Sequence, residues 1–230
     1  MRRTRKIGIS FGMIGFILLL AAGQVQAERF YFFNITNNSS FDAATGERQL
    51  FMDVFSLNGG TEVLFQFGNL GPDLSSITDV YFDDNMYSLL LNITNIINEN
   101  PLNPDQDVSF SEGASPPNLP GGNSINPTFT TTQNLLANSN SPTQPSGVNP
   151  GEYLGITFAL SGDKTYDDVL SGLSSKSLRV GLHVQGFESG GSESFINNSN
   201  PVPEPTTLLL LGPGLIGLAC LRNRIKRNKI

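Results

Sequence analysis

Residues 178–187 read Leu-Arg-Val-Gly-Leu-His-Val-Gln-Gly-Phe, and their alternation decides the fold class. Leu178, Val180, Leu182 and Val184 take one face of an extended chain, while Arg179, Gly181, His183 and Gln185 take the other. A period of two belongs to a half-buried strand; a helix would repeat at 3.6. The same reading gives strands at Arg29–Thr36, Gln49–Leu57, Thr61–Phe67, Ile77–Phe82, Tyr87–Ile93, Val108–Phe110 and Tyr153–Leu160. Clusters of Gly, Asn, Asp and Pro separate them. Asn58-Gly59-Gly60 is a hairpin turn signal, since Asn and Gly tolerate positive φ. One helix is expected: Thr165-Tyr166-Asp167-Asp168 is a capping box ahead of Val169, Leu170 and Leu173. Many short strands with one short helix predict an all-β ectodomain, a β-sandwich or jelly roll.

Outward from the strands, the charge map divides the chain in three. Every one of the 20 acids falls between Glu28 and Glu204. That stretch holds only five bases, Arg29, Arg48, Lys164, Lys176 and Arg179, for a net charge of −15. The remaining nine bases sit at the two ends. A middle this acidic repels phosphate backbones, which argues against nucleic-acid partners. Its roughly 170 residues suffice for one core without disulfides. The single cysteine, Cys220, lies outside it.

Residues 1–27 begin with Arg2, Arg3, Arg5 and Lys6, continue with an apolar run from Ile7 to Ala22, and end on Val25-Gln26-Ala27. This is the three-part layout of a secretory signal peptide, with cleavage by signal peptidase between Ala27 and Glu28. The other end, 201–230, has Val202-Pro203-Glu204-Pro205, then an apolar stretch at 206–221, then a basic end at 222–230. Its 16 apolar residues contain Gly212-Pro213-Gly214, giving a short transmembrane helix against the ~20 residues a straight span needs. The basic end stays cytoplasmic by the positive-inside rule, placing the middle across the inner membrane.

In that order, motif, apolar stretch and basic end resemble the PEP-CTERM sorting signal of Gram-negative bacteria that make exopolysaccharide. The resemblance implies recognition and tail removal by exosortase, a membrane enzyme. It places the chain at the inner membrane before removal and at the cell surface or in the extracellular matrix afterwards. The blocks GASPPNLPGGN (113–123), SITDVYFDD (76–84) and SLRVGLHVQGFESGGSESF (177–195) resemble segments shared by PEP-CTERM proteins of no established activity. That likeness implies one domain over 28–200 and implies no chemistry. It also implies order in the Pro/Gly/Asn-rich excursion at 111–151, with short strands or a helical turn around Leu135. From Gly113 to Gly151 this segment carries no charge, and it holds seven of the 14 prolines.

No catalytic set assembles in the sequence. Gly8-Ile9-Ser10-Phe11-Gly12 and Gly212-Pro213-Gly214-Leu215-Ile216-Gly217 match a nucleophile elbow and a dinucleotide loop, but neither has the strand or βαβ context. His183, the one histidine, stands on the polar face of a strand without a nucleophile, and it is expected to be hydrogen-bonded or solvated. One His and no exported Cys cannot build the usual zinc site. Asp79, Asp83 and Asp84 are candidate calcium ligands, with turn chemistry as the plainer reading. Tyr31, Tyr81, Tyr87 and Tyr153 are candidate sugar platforms or core caps. The sequence therefore predicts a cofactor-free, non-catalytic surface or matrix protein associated with exopolysaccharide or biofilm. The alternatives are a glycan hydrolase using paired carboxylates and a calcium-stabilised adhesin.

Overall fold

The computed structural model describes residues 27–201 apart from 86, 87, 100–102 and 104. The order is β1 (Ala27–Asn34), α1 (Ser40–Gln49), β2 (Leu50–Leu57), β3 (Glu62–Asn69), β4 (Ser76–Asp83), β5 (Leu90–Ile97), β6 (Phe110–Glu112), β7 (Leu136–Ser139), β8 (Tyr153–Leu160), α2 (Tyr166–Ser175), β9 (Arg179–Gln185) and β10 (Glu193–Asn197). Every strand pair is antiparallel. The protein has the all-β ectodomain that the alternation predicts. The expected signal and transmembrane helices lie outside the described residues, in which no helix is long and apolar enough to cross a membrane.

The strands run β5-β8-β3-β2-β1-β10-β9-β4-β7-β6, and the sheet closes on itself like a barrel. The first half of β1 pairs with β2, ending at Tyr31↔Phe51. From Phe32↔Asn197 onward it pairs with β10, so the sheet turns a corner between residues 31 and 32. At the other end a side chain takes the place of a ladder. The Asn98 amide accepts the Phe110 N–H at 2.8 Å and donates to the Phe110 carbonyl at 3.3 Å, linking the ends of β5 and β6.

The core lies between the two halves. Phe82 of β4 meets Phe65 of β3 and Phe158 of β8 edge-on, with ring centroids 5.1 and 4.6 Å apart. All three are fully buried, each contributing roughly 2–3 kcal/mol of hydrophobic stabilisation. Val180, Leu182 and Val184 of β9 point into this core. The opposite face of β9 is not open to water. Leu119 and Phe129 of the excursion press on Gly181, whose absent Cβ would stand 2.6 and 3.1 Å from their nearest atoms. With Tyr81, Leu136 and Ile196 they form a second apolar cluster outside the sheet. The uncharged excursion is ordered, as expected, and its strand falls at Leu136–Ser139 beside Leu135.

The capping box is present at α2: the Thr165 side chain accepts the Asp168 N–H, and the Asp168 carboxylate accepts the Thr165 N–H at 2.9 Å. The turn at Asn58–Gly60 has positive φ at all three residues. Two elements correct the expectation. The structure has a second helix, α1, where one was predicted. Its buried face is Asp42, Ala43, Thr45, Gly46 and Gln49, which carries no apolar stripe to read. Ser39 caps it by accepting the Asp42 N–H, and Gly46 lets it settle against the Phe195 ring. β10 was also missed, because it begins on a buried glutamate, Glu193. The other strands lie within four residues of their expected places, β5 shifting most, from Tyr87–Ile93 to Leu90–Ile97; Tyr87 is outside the described residues.

Candidate ligand cleft

β4 carries the acids singled out in the sequence, Asp79 in mid-strand and Asp83 and Asp84 at its end, and each has its own partners. Asp79 faces His183 on β9, Oδ2 to Nδ1 at 3.1 Å, and accepts the Thr78 hydroxyl at 2.9 Å. His183 is thus hydrogen-bonded, one of the two roles expected of it. Asp83 forms a buried ion pair with Arg179 of β9 and accepts the Thr130 N–H at 3.0 Å. Asp84 turns the other way, toward β5, where its carboxylate accepts the N–H groups of Leu89 and Leu90 and the Ser88 hydroxyl. Burial pushes the Asp84 carboxyl up, and these donors only partly offset it. Each acid thus has a structural partner of its own, Asp79 in the middle of β4 and Asp83 and Asp84 at its end. Among the described residues no three His, Cys, Asp or Glu groups gather as a metal site.

Arg179 does more than neutralise Asp83. Its Nη1 donates to the Pro127 carbonyl at 2.8 Å and its Nη2 to the Thr128 carbonyl at 2.5 Å, while the guanidinium stands 5.3 Å from the Phe129 ring. Thr132 adds a second tie, accepting the Asp84 N–H at 2.9 Å on its hydroxyl and donating its own N–H to the Phe82 carbonyl at 2.8 Å. Residues 127–132 are in this way held against the ends of β4 and β9. Sequence reasoning found Asp83 but missed Arg179 in this role. Its alternation with Val180 marked an outward side chain, but nothing local said that the excursion would return over it.

Between this segment, the turn after β4 and the end of α2 opens a cleft of about 560 Å³. Asn85, Thr128, Thr130, Ser177 and Lys176 supply its exposed polar lining, with the Asp83–Arg179 pair as its floor. A neighbouring cleft of about 470 Å³ shares Thr131 and Gln133 and adds Glu112, Asn118 and Asn134. Together they form a two-part groove on one edge of the domain, lined mainly by hydroxyls and amides, with Lys176 exposed in the larger part and Glu112 in the smaller. No aromatic ring is among the described lining residues. The tyrosines described serve the core: Tyr81 is fully buried and donates its hydroxyl to the Pro116 carbonyl at 2.9 Å, and Tyr153 meets Phe51 edge-on. Tyr31 is half-buried on β1. Backbone conformation marks the groove as well. Among the described residues five non-glycine residues have positive φ, and three of them, Asn85, Asn134 and Lys176, line it. Asn visits this region readily; for Lys it costs about 1 kcal/mol relative to Gly.

Strand register places the groove relative to the chain ends. Ile196 pairs with Gly181, Val180 donates its N–H to Asn197 Oδ1 at 2.7 Å, and Arg179 pairs with Asp83. Asn198, Arg179 and Asp83 therefore stand level on three neighbouring strands, spaced ~4.8 Å apart. Asn198, just past β10, donates its N–H to the Tyr31 carbonyl at 2.9 Å, and the chain then bends at residues 199–200. The cleft thus lies at the end of the sheet where the chain leaves β10.

Of the residues expected to be processed, Ala27 and Glu28 are the first two positions of β1, paired with Phe55 and Val54. Residues 1–26, Val202, Pro203, Glu204 and Pro205, the apolar stretch 206–221 and the basic end 222–230 lie outside the described residues. The sequence profile of the PEP-CTERM protein-sorting motif matches residues 201–225. No curated protein and no solved structure matches the chain. The resemblance read from the tail is therefore upheld, and it carries export and a membrane-anchored sorting signal with it. The chain is an exported protein with a PEP-CTERM signal at its C-terminal end, a substrate for sorting by exosortase.

Proposed function

We propose that this protein loses its signal peptide to signal peptidase and its tail to exosortase, and then serves as a non-catalytic component of the cell surface or extracellular matrix, bound to exopolysaccharide through the two-part cleft. Before tail removal, 206–221 holds it at the inner membrane. The observation that carries the reading is the groove itself. An excursion without charge, rich in hydroxyls and amides, is pinned by a buried ion pair so that it walls an open polar trough. Sugars are recognised through such hydroxyl and amide pairs, and long ordered loops on a rigid sheet commonly carry binding.

The deciding experiment is retention of the processed protein, recovered from cells, on exopolysaccharide isolated from the same organism, in about 0.15 M salt, where the Debye length is ~8 Å. Retention supports the reading, and its absence removes it. Turnover of the polymer that a single Asp or Glu substitution abolishes would make the protein a glycan hydrolase instead. A melting temperature raised by calcium and restored by chelator, without polymer retention, would make it a calcium-stabilised adhesin.

A further inference from the structure

The charge of the cleft runs against that of the domain. Between Glu28 and Glu204 the chain carries −15, and its few bases are mostly spent on acids. Arg29 pairs with Asp53 at 2.7 Å, Arg48 with Asp73 at 3.0 Å, and Arg179 with Asp83. Lys164 lies beside the Asp168 carboxylate, whose ionised form it favours. Lys176 is different. It is exposed, has no carboxylate within ion-pair distance among the described residues, and lines the larger cleft. With Asp83 and Arg179 neutralising each other, that cleft carries a net +1 on an otherwise uncharged lining.

A cation at a helix C-terminus has an ordinary explanation, and the magnitudes test it. The helix dipole rewards Lys176 by about 0.3–1 kcal/mol at an exposed site. Its left-handed backbone, φ 66°, costs about 1 kcal/mol that glycine would not incur. The two nearly cancel, so α2 gains nothing from lysine here over glycine. What lysine adds is an ammonium in the lining of the larger cleft, whose other two charged groups pair with each other; the carboxylate of the groove, Glu112, stands in the smaller cleft.

On the reading that the groove binds exopolysaccharide, we propose that the cleft at Lys176 takes a sugar unit bearing a carboxylate, with neutral units continuing past Thr131 and Gln133 into the second cleft. The surrounding −15 selects the kind of polymer. A chain with an acid on every unit is repelled by the domain as a whole. A chain whose acids stand more than a Debye length apart, ~8 Å, presents one charge to the ammonium while its neighbours are screened. The contact is charge-assisted and therefore directional as well as attractive.

The test uses the processed protein and two forms of the isolated exopolysaccharide, native and with its carboxyls reduced to alcohols. Lys176→Gly and Lys176→Gln are compared with the parent on both. Carboxyl reduction and either substitution should each weaken retention roughly tenfold, and combining them should add little, because all remove one contact. Glycine suits the backbone of position 176, so Lys176→Gly should melt at or above the parent temperature, and its weaker binding is then not misfolding. Retention insensitive to carboxyl reduction, or to both substitutions, overturns the acidic-unit proposal while leaving exopolysaccharide binding in place. No retention of the native polymer overturns the binding reading, and this proposal with it.

Discussion

Arg179, the first residue of β9, and Asp83, the last of β4, are direct cross-strand neighbours joined by a buried ion pair. The pair touches the excursion from both sides: the guanidinium holds the carbonyls of Pro127 and Thr128, and the carboxylate holds the Thr130 N–H. Removing one partner leaves the other's charge unpaired at a largely buried position on the cleft floor. Arg179→Met should therefore cost about 3–5 kcal/mol in denaturant unfolding. The same variant should admit protease within 113–151 while the barrel persists. Replacing both residues by apolar ones should cost less than either single change. A double-mutant cycle gives the coupling.

Val180 and His183 lie three residues apart on β9 and should respond oppositely to substitution. Val180 is fully buried in the main core, so Val180→Asp places an unpaired charge there and should leave no cooperative unfolding transition. His183→Ala leaves Asp79 its Thr78 hydroxyl and should cost about 1 kcal/mol. Circular dichroism melts of the two variants distinguish these outcomes.

Gly46 in α1 reverses a familiar rule. Glycine to alanine inside a helix usually stabilises by about 0.5–1 kcal/mol. A Cβ at 46, however, would fall 2.2 Å from the Phe195 ring, which is fully buried and has nowhere to move. Overpacking should win, so Gly46→Ala should destabilise by about 1–3 kcal/mol in urea titration.

Glu193 sets an acid limit on stability. Burial pushes its carboxyl up, but donors from Thr36, Asn34 and the backbone of Ser39 and Asn38 outweigh it and hold the group below its ordinary value of 4.5. A depressed acid stabilises the fold above its unfolded value, and that contribution is lost as pH falls through the folded value. Glu193→Gln should thus lose about 2 kcal/mol at neutral pH. Its deficit against the parent should shrink once the pH drops below about 4.5. Melts taken across that range should show the two curves converging.

The two ends supply a prediction that depends on register. Intact mass of protein recovered from the surface or medium should match a chain starting at Glu28 and ending near Pro205. The cleft stands level with Asn198, eight residues before the apolar stretch, so protein held in the inner membrane through 206–221 is expected to carry its groove near the bilayer. Full-length protein in membrane vesicles should retain less exopolysaccharide than the processed form. Equal retention would place the groove clear of the membrane.

The sequence by itself determined the elements whose signals are local. Alternation in residues 178–187 and 153–160 gives strands because a pleated chain puts successive side chains on opposite faces. The capping box at Thr165 and Asp168 works within four residues, and the sorting tail is written in linear order. Residues that act only through distant partners were decided by the tertiary structure. α1 has no apolar stripe because its packing partner, the Phe195 ring, needs a glycine opposite it rather than a hydrophobe. Glu193 could be buried in β10 only because side chains and amides from residues 34–39 converge on it. The cleft depends on contacts across about 50 positions of sequence, from Arg179 to Pro127 and from Asp83 to Thr130. Hydrogen bonds and ion pairs of that separation leave no periodicity for a linear reading to detect, and they exist only once the sheet has closed.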